Sequence, residues 1–397
     1  MLRECGPTIP SLQIGSLRVA LPIIQGGMGV GVSRSGLAAA VARAGGIGVI
    51  ASVGLGAITK GLDRDFVSAN QEVLREEISR ARAASDGVIG VNVMSAVSDS
   101  AGLIETAVES GADILLLGAG LPRLPSSVAR VVKEIPTRFV VIVSSLRAMQ
   151  LIFQLWSRRY ATVPDAVVVE GPLAGGHLGF RREQLSDPAH SLEVLLPPIV
   201  AEAARMETVH EKSIPVIAAG GIFTGSDIRR VFSLGAQGVQ MGTRFAATVE
   251  SDASDEFKQA YVRSSKDDII IIDSPVGLPG RAIRNQFTDD VALGLKKPFV
   301  CPFRCLTNCD PQTAPYCIAR ALVKAMQGDM AHGFAFAGAN AWRVDRILTV
   351  QELMTSLVDE FNECVAAEGV CRGPMVPQQE PLLQRGDDLI SPHAASS

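Results

Sequence analysis

Glycines stand directly after two aliphatic runs late in the chain. Gly220 and Gly221 follow the first run, and Gly242 and Thr243 follow the second. Glycine lets backbone N–H groups approach phosphate oxygens, and the N-terminus of a following helix adds a favourable dipole. The pattern predicts a phosphate site to which Thr243 adds a hydroxyl, although the same glycines would also suit plain strand-to-helix turns.

A glycine pair and an amide side chain follow two earlier runs. Gly26 and Gly27 would let a flat ring lie against the backbone, with the thioether of Met28 as a soft apolar contact. Asn92 ends an otherwise apolar run and offers a donor and an acceptor there. Both features also have a plainer interpretation as turns.

One histidine has a context that suits proton transfer. His177 follows Gly175 and Gly176, shortly after an aliphatic run, and these glycines would expose it. An imidazole with a pKa of about 6.5 can take or give a proton at neutral pH. We therefore expect His177 to be a catalytic residue, whereas a lone histidine is more commonly a surface or core residue. The other histidines, at positions 190, 210, 332 and 393, lack such a context.

Four of the seven cysteines lie within one short segment. They are Cys301, Cys305, Cys309 and Cys317. Their spacing is not the paired C-x-x-C pattern of a zinc ribbon. Closely spaced thiolates in a proline-broken loop could hold an iron–sulfur cluster. A structural zinc ion and four packed thiols without metal are the other interpretations.

Eight short aliphatic runs, each followed by a helix-like stretch, must position these residues. The runs are residues 21–25, 47–51, 88–92, 113–118, 139–143, 166–170, 216–219 and 238–241. The count and the span match a (β/α)8, or TIM, barrel of roughly 250 residues. An open doubly wound sheet is the rival, because it places a glycine-rich loop after its first strand. The number of runs and the phosphate-type glycines after the last two favour the barrel, whose active site lies at the carboxyl ends of its strands.

The pattern changes after the eighth repeat, and the sequence predicts three parts. Residues 1–263 would form the barrel, and residues 264–372 an appended, mostly helical region packed over the barrel mouth and carrying the cysteine segment. Residues 373–397, rich in Pro, Gln and Ser, would form a flexible tail.

Charge and hydropathy exclude several classes of function. The 397 residues include 37 basic and 41 acidic side chains that interleave along the chain, which argues against a nucleic-acid partner. No apolar run is long enough to predict a transmembrane helix, and the N-terminus lacks the apolar core of a signal peptide. We therefore expect a cytoplasmic protein whose cysteines are thiols or ligands rather than disulfides.

Four segments together resemble the nitronate monooxygenase (2-nitropropane dioxygenase) family, which includes flavin-dependent enoyl-ACP reductases. They are residues 22–28 (PIIQGGM), 170–177 (EGPLAGGH), 216–222 (VIAAGGI) and 241–245 (MGTRF). Their order and spacing agree with the family over about residues 19–250. Residues 336–343 (FAGANAWR) also resemble the family's C-terminal segment. The set is specific for the family and not for a substrate.

The resemblance implies FMN, bound non-covalently at the barrel mouth. The residues expected to contact it are Gly26, Gly27, Met28, Asn92, Gly175, Gly176, Ala219, Gly220, Gly221, Met241, Gly242 and Thr243. His177 matches the family's histidine, which is implied to be the general base or, in reductases, an orienting proton donor. The flavin would carry the redox chemistry, while the protein supplies orientation and a proton path.

The implied reaction is oxidation of an alkyl nitronate, with O2 as electron acceptor and a carbonyl compound and nitrite as products. The alternative is a reductase that passes electrons from NAD(P)H or a ferredoxin-like donor to an enoyl thioester or a quinone. A non-catalytic barrel that binds a phosphate ligand is a third hypothesis. All three imply a small-molecule ligand, and an oligomer is compatible with each.

The chain departs from the family pattern in two places. Some relatives carry a basic residue near the end of strand five, where this chain has Val143, Ser144 and Ser145; Arg123, in the preceding loop, could supply the charge. The second departure is the cysteine segment, which loosely resembles the cluster segment of iron–sulfur flavoenzymes related to 2,4-dienoyl-CoA reductase. A cluster would favour the reductase, because clusters pass single electrons.

Overall fold

The structure, a computed structural model, describes residues 9–59, 65–295, 297–301, 303–307 and 309–371. The predicted tail, residues 373–397, therefore lies outside the described residues. In chain order the strands are β1 (Leu12–Ile14), β2 (Leu17–Val19), β3 (Ile23–Gln25), β4 (Ile47–Ala51), β5 (Val88–Met94), β6 (Ile114–Gly118), β7 (Arg138–Val143), β8 (Ala166–Glu170), β9 (Gly176–His177), β10 (Val216–Ala219), β11 (Gly238–Met241), β12 (Ile269–Asp273) and β13 (Pro279–Ile283).

Eight parallel strands form a closed barrel, as predicted. Their order around the barrel is β10–β11–β3–β4–β5–β6–β7–β8. Each barrel strand coincides with one aliphatic run of the sequence, because a strand buried on both faces has no polar positions to alternate with. Closure brings β11 beside β3, with Met241 paired to Gln25, so the first and last repeats share one edge of the mouth.

Alternate side chains of each barrel strand point into the barrel. These inward residues, such as Ile24, Leu116 and Val168, pack into one fully buried cluster. Leu12 and Ile14 of the β1–β2 hairpin belong to the same cluster, so the hairpin covers one end of the barrel. Burying one such side chain contributes roughly 1.5–3 kcal/mol, so this layer fixes the strand register on which the site depends.

Helices form a ring outside the barrel. They are α1 (Ser35–Arg43), α2 (Leu55–Thr59), α3 (Phe66–Ala84), α4 (Ser100–Glu109), α5 (Ser126–Val131), α6 (Leu146–Tyr160), α7 (Leu192–His210), α8 (Gly225–Ser233), α9 (Thr243–Ala246), α10 (Asp255–Arg263), α11 (Gln286–Ala292), α12 (Ile318–Met326) and α13 (Val350–Cys371). Over the part of the chain that the structure describes, no helix is long and apolar enough to cross a membrane.

The appended region is largely helical, as expected, and it also contains a hairpin. Strand β13 pairs antiparallel with β12 and with β9, the strand that carries His177, so the hairpin lies on the loop after the sixth barrel strand. The sequence showed the isoleucine run of β12 but not its partner. The division of the chain at residue 263 stays a prediction.

Helix α13 lies on the outside of the barrel and not over its mouth. It begins with a capping box in which the Thr349 hydroxyl accepts from the N–H of Glu352 and the Glu352 carboxylate accepts from that of Thr349. Its apolar face, including Leu357 and Phe361, packs into the same core as α1 and α8. Since α9 is a single turn, α13 supplies the outer helix that the eighth repeat lacks.

Candidate active site

The first glycine turn connects β10 to α8 at the barrel mouth. Gly220 and Gly221 follow Ala219 and have φ angles of 92° and 80°, in the left-handed region that favours glycine. A Cβ on Gly220 would lie 2.9 Å from the carbonyl oxygen of Gly171, so no larger residue fits there. The next helix starts nearby, with the Thr224 hydroxyl accepting from the N–H of Asp227.

The second glycine turn lies beside the first, because β10 and β11 are neighbours in the barrel. Gly242 follows Met241, and a Cβ there would have no neighbour closer than the Met28 sulfur at 3.6 Å. Thr243 begins α9, and its hydroxyl accepts from the N–H of Gly338 at 2.9 Å. The structure therefore brings both predicted phosphate turns to one edge of the mouth.

The third group of predicted residues lies next to this edge. Gly26 donates to the carbonyl oxygen of Met241 at 2.9 Å, and Met28 lies against Gly242. A Cβ on Gly27 would lie only 2.4 Å from the Cβ of Asn92, so the backbone passes directly over this asparagine. The structure thus gathers residues 26–28 and Asn92 beside the two turns.

His177 lies in the loop after β8, the sixth barrel strand, and contacts the appended region. Its Nε2 lies 2.7 Å from the Ser274 hydroxyl, and the Phe336 ring meets the imidazole edge-on at 4.9 Å. Gly175 packs so closely on residues 337–338 that a Cβ would lie 2.6 Å from the carbonyl carbon of Ala337, and Gly176 has a φ of 79°. Burial lowers the pKa of His177 to about 4, so its imidazole is neutral at physiological pH.

Two polar side chains at the mouth were not among the predicted site residues. Glu170 ends β8 on the same face as Val168, which points into the barrel. The Gln240 side chain lies against the backbone at Gly26. Burial raises the pKa of Glu170 to about 7. Among the described residues the Oε1 of Gln240 is buried without a hydrogen-bond partner. A polar residue at the carboxyl end of a barrel strand was the signal that could have found both.

Replacing Glu170 with glutamine should make stability less dependent on pH. The folded pKa is raised above the ordinary value of 4.5, so the native state binds this proton more tightly than the unfolded state. The contribution to stability is complete below pH 4.5 and is lost as the pH rises through 7. We expect E170Q to gain up to about 3 kcal/mol of unfolding free energy at pH 8 and nothing at pH 4.

Urea unfolding at both pH values measures this difference. The matched control is E134Q, which changes an exposed carboxylate in the same way. An E170Q variant whose gain is the same at pH 4 and pH 8 would contradict the raised pKa.

At the first departure from the family pattern, the two serines have local roles. Ser145 caps α6, where its hydroxyl accepts from the N–H of Ala148, and Ser144 lies against Gly179. Arg123 is exposed in the loop after β6. Residues 143–145 themselves supply no basic side chain at this position.

The cysteine segment docks on the loops of the second and third barrel strands. Leu306 forms a bridge with Val97, and Ser98 donates to the carbonyl oxygen of Cys305. The described cysteines Cys301, Cys305, Cys309 and Cys317 are free thiols. Within the described ranges, no three His, Cys, Asp or Glu side chains are arranged to hold a single metal ion.

These features define a (β/α)8-barrel enzyme with two neighbouring glycine turns and a half-buried, neutral histidine at its mouth. The sequence matches the family described as nitronate monooxygenase over residues 11–360, and the chain belongs to that family. It is accordingly an oxidoreductase of the flavin type.

Individual relatives agree with this membership. The chain is 28% identical over 274 residues to a Mycobacterium tuberculosis protein named (3aS,4S,5R,7aS)-5-hydroxy-7a-methyl-1-oxo-octahydro-1H-indene-4-carboxyl-CoA dehydrogenase, covering 69% of this chain and 66% of that relative. It is 28% identical over 300 residues to a probable nitronate monooxygenase of Staphylococcus saprophyticus, covering 69% and 78% of the two chains. The alignment thus spans slightly less than two thirds of the mycobacterial relative.

Solved structures show the same architecture. FabK from Thermotoga maritima is 28% identical and superposes with a TM-score of 0.68, covering 89% of this chain and 96% of that chain. A nitroalkane oxidase from Streptomyces ansochromogenes, 23% identical with a TM-score of 0.66 over 88% of this chain and 98% of that chain, shares the fold.

The residues present fit a flavin mononucleotide. Gly242 leaves open backbone surface that a Cβ would cover, which suits a phosphate, and the neighbouring turn at Gly220 and Gly221 has the positive φ angles that glycine favours. Among the described residues the buried Oε1 of Gln240 is an unsatisfied hydrogen-bond acceptor. A flavin offers ring N–H and ribityl hydroxyl groups that could donate to such an acceptor. The Arg244 guanidinium, stacked 4.4 Å from the centre of the Phe223 ring, adds positive charge close to the phosphate turns.

Proposed function

We propose that this protein binds FMN at the barrel mouth and oxidises alkyl nitronates. O2 accepts the electrons, and a carbonyl compound and nitrite are released. The observation that carries the proposal is the neutral imidazole of His177 on the loop beside the glycine turns. When bound, FMN would supply the redox chemistry, and the residues of the chain orient the substrate and move its proton.

A neutral imidazole suits both forms of a nitroalkane. His177 can accept the carbon-bound proton of a neutral nitroalkane, and it leaves an anionic nitronate undisturbed because no proton needs to move. Its position depends on Arg281, which donates to the carbonyl oxygens of Pro172 and Ala174 and so holds the loop that leads to the histidine. Arg281 is therefore a positioning residue in this proposal.

A second candidate is a reductase that uses NAD(P)H or a ferredoxin-like donor to reduce an enoyl thioester or a quinone. The mycobacterial relative is named as a dehydrogenase of a CoA ester, which supports a thioester substrate. The cysteine segment on the loops beside the mouth also favours this candidate, because thiols can hold a carrier of single electrons.

Anaerobic absorbance spectra separate these candidates. We expect the protein to be yellow, and propane-2-nitronate to bleach its flavin absorbance within one turnover, with nitrite formed when O2 is readmitted. Bleaching by NADH or NADPH and not by the nitronate would support the reductase. Flavin that none of the three bleaches would leave only a ligand-binding role, and a colourless protein that does not take up FMN would overturn the proposal.

A further inference from the structure

Two polar side chains lie in one layer at the mouth end of the barrel interior. Ala219 of β10 is paired with Glu170 of β8 on one side and with Gln240 of β11 on the other. Ala219 belongs to the inward-facing cluster, and residues at the same level on neighbouring parallel strands point to the same face of the sheet. Glu170 and Gln240 therefore both point into the barrel, with the short Ala219 side chain between them.

This layer lies directly below the two glycine turns. Ala219 precedes Gly220 in the chain, and Met241 and Gly242 follow Gln240. Neighbouring strands are about 4.8 Å apart, so the Cα atoms of Glu170 and Gln240, two strands apart, are separated by roughly 10 Å. The methyl group of Ala219 fills little of that span. Both polar side chains are half-buried, so each of them stays partly accessible from the mouth.

The hydrogen-bonding capacity of these two side chains is not satisfied within the described part of the chain. The Oε1 atom of Gln240 is buried there without a partner. The Glu170 carboxyl makes no hydrogen bond or ion pair to the described residues, and burial is the cause that raises its pKa to about 7. Residues 143–145, which end the neighbouring strand β7, provide no basic partner. Unpaired polar groups at a site destabilise the protein, so they indicate a ligand that pairs with them.

The chemistry of the two groups restricts that ligand. A carboxyl that keeps its proton up to about pH 7 donates through its O–H and accepts through its other oxygen. The Gln240 Oε1 atom only accepts. A hydroxyl group both donates and accepts, so a chain that carries several hydroxyl groups pairs with both residues at once. A ligand that offers only acceptors leaves Gln240 unpaired, and an apolar chain leaves both unpaired.

We propose that Glu170 and Gln240 bind the hydroxyl groups of the flavin's ribityl chain and thereby select FMN over a flavin phosphate whose chain has no hydroxyls. The inference rests on the proposed FMN site. With the phosphate at Gly220, Gly221 and Gly242, a chain that leaves it toward the barrel axis meets the layer of Ala219 first. Glu170 and Gln240 are then residues that determine cofactor specificity.

Titration of the apoprotein with two flavins tests this inference. One is FMN, and the other is an analogue in which a phosphopentyl chain replaces the ribityl phosphate. We expect the wild type to bind FMN about 10- to 100-fold more tightly than the analogue, as the loss of two hydrogen bonds requires. E170L and Q240L should each weaken FMN binding by about 10-fold and leave the affinity for the analogue unchanged. E170Q, which still donates and accepts, should keep most of the preference for FMN.

The matched control is E134L, which removes an exposed carboxylate in the same way and should keep both affinities. Circular dichroism shows whether each variant is folded, and Q240L tests the layer from the other strand if E170L does not fold. Equal affinity of the wild type for both flavins, or an undiminished preference for FMN in E170L and Q240L, would overturn the inference and leave the FMN site standing. A wild type that binds neither flavin would overturn the FMN site and this inference with it.

Discussion

Replacing Gly242 by valine is expected to weaken FMN binding by about 100-fold or more, equivalent to ~2.7 kcal/mol, with little effect on folding. The protein itself has room for a Cβ there, because the nearest atom is the Met28 sulfur at 3.6 Å. The added side chain would instead occupy the surface that we assign to the phosphate. Titration of the apoprotein with FMN, followed by flavin fluorescence, measures the affinity.

Gly220 provides the comparison for this variant. A Cβ at Gly220 would meet backbone atoms of Gly171 and Ala174 at 2.9 and 3.0 Å, so G220A should lower the unfolding temperature as well as the affinity. G242V should change the affinity alone. Full retention of FMN by G242V would mean that the phosphate binds elsewhere.

Replacing His177 by asparagine is expected to slow oxidation of a neutral nitroalkane by about a hundred-fold to ten-thousand-fold. Oxidation of the preformed nitronate should change much less, because that substrate has already lost its proton. Stopped-flow reduction of the flavin with each form of the substrate measures the two rates. Equal losses with both forms would assign His177 a binding role.

The pH dependence of the rate with a neutral nitroalkane is a second test of the role of His177. Because burial lowers the pKa of His177 to about 4, the imidazole keeps its proton-accepting form as the pH falls through 6.5. The rate with a neutral nitroalkane should therefore decline only near pH 4. The matched control is S274A, which removes the 2.7 Å hydrogen bond but leaves the imidazole, and it should reduce the rate less than H177N.

The barrel could be predicted because each of its strands appears in the sequence as a short aliphatic run. The run 166–170, for example, is aliphatic until Glu170, and the strand found there has the same bounds. A strand that is buried between the barrel interior and the ring of helices accepts few residues other than aliphatic ones. Eight such runs therefore indicate the barrel architecture almost directly. Counting the runs also placed the two glycine turns after the seventh and eighth barrel strands, β10 and β11.

Contacts between distant parts of the chain were not predictable in this way. Ser274 reaches His177 only because β13 pairs with β9, and nothing near either residue specifies that pairing. Asn340 likewise donates to the carbonyl oxygen of Gly221 across 119 positions. Sequence periodicity describes local structure, and such partners are set by how the appended region packs.

The docking of α13 has a consequence for how the nascent chain matures on the ribosome. All eight barrel strands are synthesised well before this helix, which fills the seam between α1 and α8. Until it emerges, the apolar faces of those two helices stay open to solvent and to chaperones. Translation must therefore pass Phe361 before the barrel is fully packed, and the folding of its first and last repeats is completed together.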